Sequence, residues 1–175
     1  MLVFGPMEII KLLLPGMRER GGGLIVNVTS LAAFLPIPYM GGYSAAKAAL
    51  SSLSWTLDME LCREPIRIVD LRPADIRTNF HKTMECDDAA KVASSTDNIA
   101  RAYGKYTENM ENAPTPEGVA GLVRRIVESR GWASPRQNAG GIFQSVIAPV
   151  LAKLGPHAWT RSVLRKYYRL NCTRS

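Results

Sequence analysis

The sequence predicts an α/β fold built on a parallel sheet, and three observations carry that expectation. Two short apolar runs rich in β-branched residues, at 24–28 and 66–71, read as strands buried on both faces. Stretches of helical character precede and separate them. The resulting order of helix, strand, helix, strand implies right-handed crossovers between parallel strands. A chain of 175 residues is long enough for one domain to bury a real core.

Residues 6–20 are expected to form the first helix. Met7, Ile9, Ile10, Leu12, Leu13 and Leu14 give it a broad apolar face, with Glu8 and Lys11 outside that face. Pro6 suits a first turn, where its missing N–H costs nothing. Pro15 is expected to kink the helix or end it early. Gly21, Gly22 and Gly23 break the chain before the first strand. The segment Phe34-Leu35-Pro36-Ile37-Pro38 excludes helix. A long helix is expected over 43–62, favoured by Ala45, Ala46, Ala48, Ala49 and Leu50. Glu64-Pro65 stops it, and Pro73 closes the second strand.

Residues 81–113 are polar and show no strand pattern. They are expected to form a substrate lid with a helix near 96–106. Residues 116–129 read as a helix with Val119, Leu122, Val123, Ile126 and Val127 on one face. A short strand or loop follows around 132–142, then one or two helices in a basic amphipathic segment over 142–175. There Ile142, Phe143, Val146, Ile147, Val150, Leu151 and Leu154 make an apolar face. That face is expected to pack on the domain; left exposed, it would suit an interfacial helix on a membrane surface.

The net charge is +7, and from Lys153 to the end there are six Lys/Arg and no Asp or Glu. A basic tail of this kind reads first as a solvated helix face and second as an anionic-surface contact. No basic–aromatic interleaving supports nucleic-acid binding. Cys62, Cys86 and Cys172 are odd in number and lack metal or redox spacing, which fits a reducing cytoplasm. His81 and His157 show no ligand pattern, so no metal is expected. Glu8 and Lys11 interrupt the apolar N-terminus, and a basic leader region is lacking, so it does not read as a signal peptide. Asn27-Val28-Thr29 matches a glycosylation acceptor but falls inside an apolar strand.

The chemistry-bearing residues are Ser30, Tyr43 and Lys47. Tyr43 and Lys47 are four residues apart on one helix, so they share a face. A phenol, with an ordinary pKa of about 10, is a poor acid–base catalyst at neutral pH. An adjacent ammonium favours the phenolate and lets it exchange a proton near neutrality. Ser30 stands at the carboxyl end of its strand, where ligands bind in open α/β sheets. Its hydroxyl can hydrogen-bond a substrate carbonyl and share developing negative charge. Either motif alone is weak, since a lone Tyr–Lys pair is usually a surface pair and a lone Ser usually a cap. Their ordered combination is not.

That combination resembles the short-chain dehydrogenase/reductases. The likeness runs from about Gly5 to Phe80 and includes Leu13-Leu14-Pro15, the run from Gly23 to Ser30, Tyr43-Ser44-Ala45-Ala46-Lys47-Ala48-Ala49, and the run from Leu71 to Thr78. The resemblance implies an NAD(P)-dependent oxidoreductase that interconverts an alcohol and a carbonyl. It narrows the fold class to the C-terminal half of a Rossmann-like doubly wound parallel sheet with a helical C-terminal extension. It implies that Tyr43 is the acid/base and that Ser30 positions the carbonyl. Lys47 would lower the Tyr43 pKa and hold the nicotinamide ribose. Pro73, Ile76 and Thr78 would form the nicotinamide-contacting turn. Ala74 stands where the family has glycine. Ser134-Pro135-Arg136, Gly140-Gly141 and the apolar-basic tail are similar to members acting on lipophilic alcohols.

The family's glycine-rich dinucleotide fingerprint is absent from this sequence. Gly21–Gly23 precede a strand rather than a helix, and Gly41-Gly42 lack the spacing. The residue that selects NAD or NADP is therefore unreadable. The asparagine that the family places near the start of the first helix here falls on Leu2. These departures lead to the expectation of an N-terminally truncated member whose first strand has an open edge, which is marginally stable and binds dinucleotide weakly. Two roles are expected: an oxidoreductase acting on a small alcohol or carbonyl, or a non-catalytic partner. The resemblance implies pairing through the helices at 6–20 and 43–62, with a second copy or a full-length relative.

Overall fold

The computed structural model describes residues 2–78, 98–129, 134–141 and 143–171. In chain order the elements are α1 (Phe4–Glu19), β1 (Gly23–Val28), a 3-10 turn (Leu31–Ala33), α2 (Gly41–Glu60), β2 (Ile66–Pro73), α3 (Asn98–Glu111), α4 (Glu117–Glu128), β3 (Arg136–Ala139), a π-turn (Phe143–Ile147), α5 (Ala148–Leu154) and α6 (His157–Tyr167). The chain divides into two compact units: Met1–Ala74 with Glu117–Ala139, and Asp75–Pro116 with Gly140–Ser175.

The first unit holds the sheet, ordered β1-β2-β3 with both pairings parallel, as the order of elements predicts. Gly23 to Val28 pair with Ile66 to Leu71, and Asp70 to Pro73 pair with Arg136 to Ala139. Side-chain alternation divides the strands between two cores. Ile25, Ile66 and Ile68 pack with Ile10, Leu14 and Met17 of α1 and Leu57 of α2. Leu24, Val26, Val69 and Leu71 pack with Val119, Leu122, Val123 and Ile126 of α4. Burial of this kind contributes roughly 1.5–3 kcal/mol per large apolar side chain. Two expectations need correction here. Val127 is exposed, because it sits one step beyond the stripe that faces the sheet. Val28 is also exposed, since it lies at the strand end, so β1 is not buried throughout. Among the described residues no strand pairs with the outer edge of β1.

Helix α1 runs through Pro15 to Glu19, close to the expected span of 6–20, so the early end that was one of the two outcomes expected of Pro15 does not occur. Proline removes one backbone donor, toward Lys11, and the neighbouring turns outweigh that loss. Leu14 and Met17 on either side of Pro15 join the core. The helix end is fixed by Gly22 N–H donating to Met17 C=O at 2.9 Å. Gly22 has φ +155°, and a Cβ there would lie 2.8 Å from the Pro65 carbonyl oxygen, so only glycine fits the turn into β1. Arg18 and Glu64 form a two-pronged ion pair at 2.7 and 2.9 Å, tying α1 to the turn before β2. Helix α2 begins at Gly41, two residues before the expected start, and ends at Glu60.

In the second unit α3 buries Ala102, Tyr106 and Met110. Glu108 accepts from Lys105 at 2.9 Å and from Arg169 at 2.8 Å, and Asn98 and Asn171 exchange two hydrogen bonds. These contacts fasten α3 to the residues after α6. Of the expected lid, residues 81–97 lie outside the described residues, and α3 occupies 98–111. Phe143, Val146, Ile147, Val150 and Leu154 are all exposed, while Ser145 is the residue turned inward. Ile142 lies outside the described residues.

Candidate active site

Ser30 and Lys47 meet the carboxyl end of β1. Ser30 follows the strand and caps the 3-10 turn, its Oγ accepting from Ala32 N–H at 3.1 Å. That turn packs against α2. Tyr43 and Lys47 lie in the first two turns of α2, both half-buried. The Lys47 ammonium sits 5.9 Å from the centre of the Tyr43 ring. It donates to the carbonyl of Val28 at 2.7 Å, two residues before Ser30. Burial pushes the Lys47 pKa down. One hydrogen bond thus pins the lysine to the strand end that carries the serine.

The loop between strand and helix is held in place. Ile37 N–H donates to the buried Ser44 Oγ at 3.3 Å, and Ser44 N–H donates to Met40 C=O at 3.0 Å. Tyr39 takes φ +63°, a left-handed conformation uncommon for a residue other than glycine. It lies just before α2 starts.

Behind these residues lies a buried polar network that the sequence reading missed. On the face of the sheet that meets α2, Ile25, Ile66 and Ile68 give way toward the carboxyl end to Asn27, Thr29, Asp70 and Arg72. Asn27 Nδ2 donates to Ser54 Oγ at 2.9 Å. The Asp70 carboxylate accepts from Thr29 Oγ1 at 2.5 Å, Ser51 Oγ at 2.6 Å and Arg72 Nε at 2.8 Å. Arg72 also donates to Ser51 Oγ. Arg136 Nε lies 3.5 Å from Asp70, its guanidinium 4.9 Å from the centre of the Trp55 ring. Desolvation pushes the Arg72 pKa down, opposed by the Asp70 charge. Asp70 therefore joins β1, one residue before Ser30, to α2, one turn after Lys47. The signal was present: Asp70 and Arg72, two apart in an apolar strand, share a face and demand polar partners.

The remaining predicted residues are placed as follows. Pro73 ends β2, opposite Ala139, and Ala74 N–H donates to Ala139 C=O at 2.6 Å. Ile76 and Thr78 belong to the second unit, the first buried and the second exposed. Leu2 is exposed just ahead of α1 and offers no polar side-chain atom.

A family model described as short chain dehydrogenase matches residues 2–89. Dehydrogenase/reductase SDR family member 4 of Bos taurus is 36% identical over 115 residues, which is 66% of this chain and 38% of that protein. A 3-ketodihydrosphingosine reductase of Bacteroides thetaiotaomicron is 26% identical over 168 residues, 95% of this chain and 62% of that protein. Among solved structures, a short-chain dehydrogenase from Streptomyces avermitilis superposes with TM-score 0.63 at 26% identity, covering 96% of this chain and 58% of that one. A short chain dehydrogenase from Burkholderia cenocepacia in complex with NADP superposes with TM-score 0.64 at 19% identity, covering 98% and 58%, and shows the fold alone. The chain thus spans less than two thirds of the length of these relatives. The match to the family model over half of its length establishes that the chain belongs to the short-chain dehydrogenase family.

Proposed function

We propose that the chain carries the proton-transfer half of a nicotinamide-dependent oxidoreductase that interconverts an alcohol and a carbonyl. The observation that supports this best is the Lys47–Val28 hydrogen bond, which holds the lysine beside Tyr43 and next to the Ser30 strand end. In this reading Tyr43 gives a proton to, or takes one from, the substrate oxygen. Ser30 donates a hydrogen bond to the same oxygen and steadies the charge that develops there. Lys47 sets a positive charge 5.9 Å from the centre of the Tyr43 ring.

The residues present suit one end of a dinucleotide and not the other. Lys47 has three N–H bonds and gives one to Val28, which leaves donors for a ribose hydroxyl. Tyr43, on the same helix, belongs to that end as well. The pyrophosphate end requires a glycine-rich strand–turn–helix, which this sequence lacks. When bound, the nicotinamide supplies or accepts the hydride. NAD and NADP are both compatible with the residues present. The substrate is proposed to be lipophilic, on the strength of the Bacteroides relative, named for a long-chain keto substrate and matched over 95% of this chain.

The test uses a donor that lacks the adenosine half. Reduced nicotinamide mononucleotide and NADPH are each offered with a panel of long-chain ketones. Comparable, slow turnover is expected with both donors. Tyr43→Phe is expected to reduce it by about 10²–10⁴, the usual worth of a positioned general acid. Turnover that is absent, or indifferent to Tyr43, overturns the reading.

A second reading has its own observation. Phe4, Ile9 and Leu12 of α1 and Trp55 and Met59 of α2 are exposed on the outer sides of the two helices. Such faces suit pairing with a second copy or a full-length relative without catalysis. Sedimentation of the chain alone and mixed with such a relative distinguishes a pairing module from a monomeric one.

A further inference from the structure

Residues 143–154 form one continuous helical stretch, the π-turn leading into α5. One side holds it to its own unit. Gln144 donates to Asp75, and the buried Ser145 lies near the carbonyl of Gly140. The opposite side is apolar and open to solvent. Phe143, Val146, Val150 and Leu154 recur at helical spacing, and Leu154 is 80% exposed. On α6, Trp159 and Val163 repeat the pattern one turn apart and are also exposed.

The charged residues of α5 and α6 are of one sign. Lys153, Arg161, Arg165 and Lys166 are exposed, and no Asp or Glu occurs from Lys153 to the end. Both Trp159 and the long basic side chains suit a boundary between apolar and aqueous phases. The stretch of 143–154 is about 18 Å long at helical rise, far short of a bilayer. No helix among the described residues is long and apolar enough to cross one.

We propose that this face docks on an anionic lipid surface, lying in the interface with the apolar stripe inserted and the basic side chains at the headgroups. Charge decides between the occupants. Two copies placed face to face would bring like charges together in a setting of reduced dielectric. A protein partner would need carboxylates at fixed points opposite four cations. A bilayer containing anionic lipid supplies both an apolar layer and negative charge wherever the cations fall.

Flotation of the purified 175-residue chain with vesicles tests this, using phosphatidylcholine alone or mixed with phosphatidylserine. The chain is expected to float with the mixed vesicles, far less with the neutral ones, and less again at high salt. Each Lys or Arg changed to Gln in the set of four is expected to lower partition about fivefold. V150E combined with L154E is expected to abolish flotation while circular dichroism stays unchanged, since both residues are solvent-exposed. L12E, on the exposed side of α1, serves as the control and is expected to float normally. The proposal is overturned if the chain stays at the bottom with anionic vesicles. It is also overturned if L12E rather than V150E/L154E removes binding, or if V150E/L154E only dissociates a self-associated species. None of these readouts depends on turnover, so the result stands apart from the catalytic reading.

Discussion

Asp70 offers the sharpest quantitative test of how the site is built. Its carboxylate is 3% exposed and carries three hydrogen bonds, including one from the Arg72 guanidinium. The Arg72 side chain is itself only 11% exposed. Removing Asp70 leaves a buried cation without its counter-charge, a loss of about 3–5 kcal/mol. Removing both charges together avoids that penalty, and a well-packed apolar pair is neutral or stabilising by about 1–4 kcal/mol. D70A is therefore expected to lose several kcal/mol in urea unfolding followed by circular dichroism, with an unchanged slope. D70L combined with R72M is expected to return to parental stability or above it. In the double variant Ser51 can turn to the carbonyl of Lys47 and Thr29 keeps the Leu71 carbonyl at 3.2 Å, so neither hydroxyl is stranded. A D70A loss below about 1 kcal/mol, the size of an ordinary hydrogen bond, would refute the reasoning. So would a double variant as unstable as the single one.

Other perturbations have equally definite outcomes. Pro15 is an exposed proline inside α1, so P15A restores a backbone donor without losing packing and should stabilise the chain by about 1–2 kcal/mol in thermal unfolding. Burial raises the Asp75 pKa, which places its contribution to stability on the acid side. That contribution is complete below about pH 4 and is lost as pH rises through the elevated folded value. D75N should flatten the corresponding part of a stability–pH curve. Tyr168 is raised by burial, and by the Asp75 charge, well above the ordinary phenol range. Its contribution persists up to about pH 10 and is lost above that, so Y168F should weaken alkaline unfolding. G22A should destabilise the chain by more than the 1 kcal/mol or so of a helix glycine exchange, because a Cβ there meets the Pro65 carbonyl at 2.8 Å.

The elements that the sequence showed well are those whose pattern is local. Continuous apolar runs rich in β-branched residues identified β1 and β2, and the α4 stripe of Val119, Leu122, Val123 and Ile126 matched its core. Pro15 left a kink and an early end both open, and α1 continues past it because contacts on both sides, through Leu14 and Met17, hold the helix. The apolar run from Phe143 to Leu154 shows a different limit. Periodicity shows that a face exists and says nothing about what lies against it. That information belongs to tertiary structure, and here the inward side is the polar one, through Gln144 and Ser145.

The site divides along the same line. The places of Ser30 after a strand and of Tyr43 and Lys47 on one helix could be read locally, because spacing fixes which residues share a helix face. The elements that align them were not legible. Lys47 reaches the Val28 carbonyl across 19 residues, and Asp70 reaches Thr29 across 41. A strand that turns from Ile66 and Ile68 to Asp70 and Arg72 on one face exchanges hydrophobic burial for directional bonds at the end where chemistry is proposed. Apolar contacts would hold α2 against the sheet but leave it free to slide by fractions of an ångström. Hydrogen bonds to a buried carboxylate fix both distance and angle. The same pattern can be sought in other α/β sequences as an Asp-x-Arg inside a central strand, facing small hydroxyl residues one helical turn after a candidate lysine.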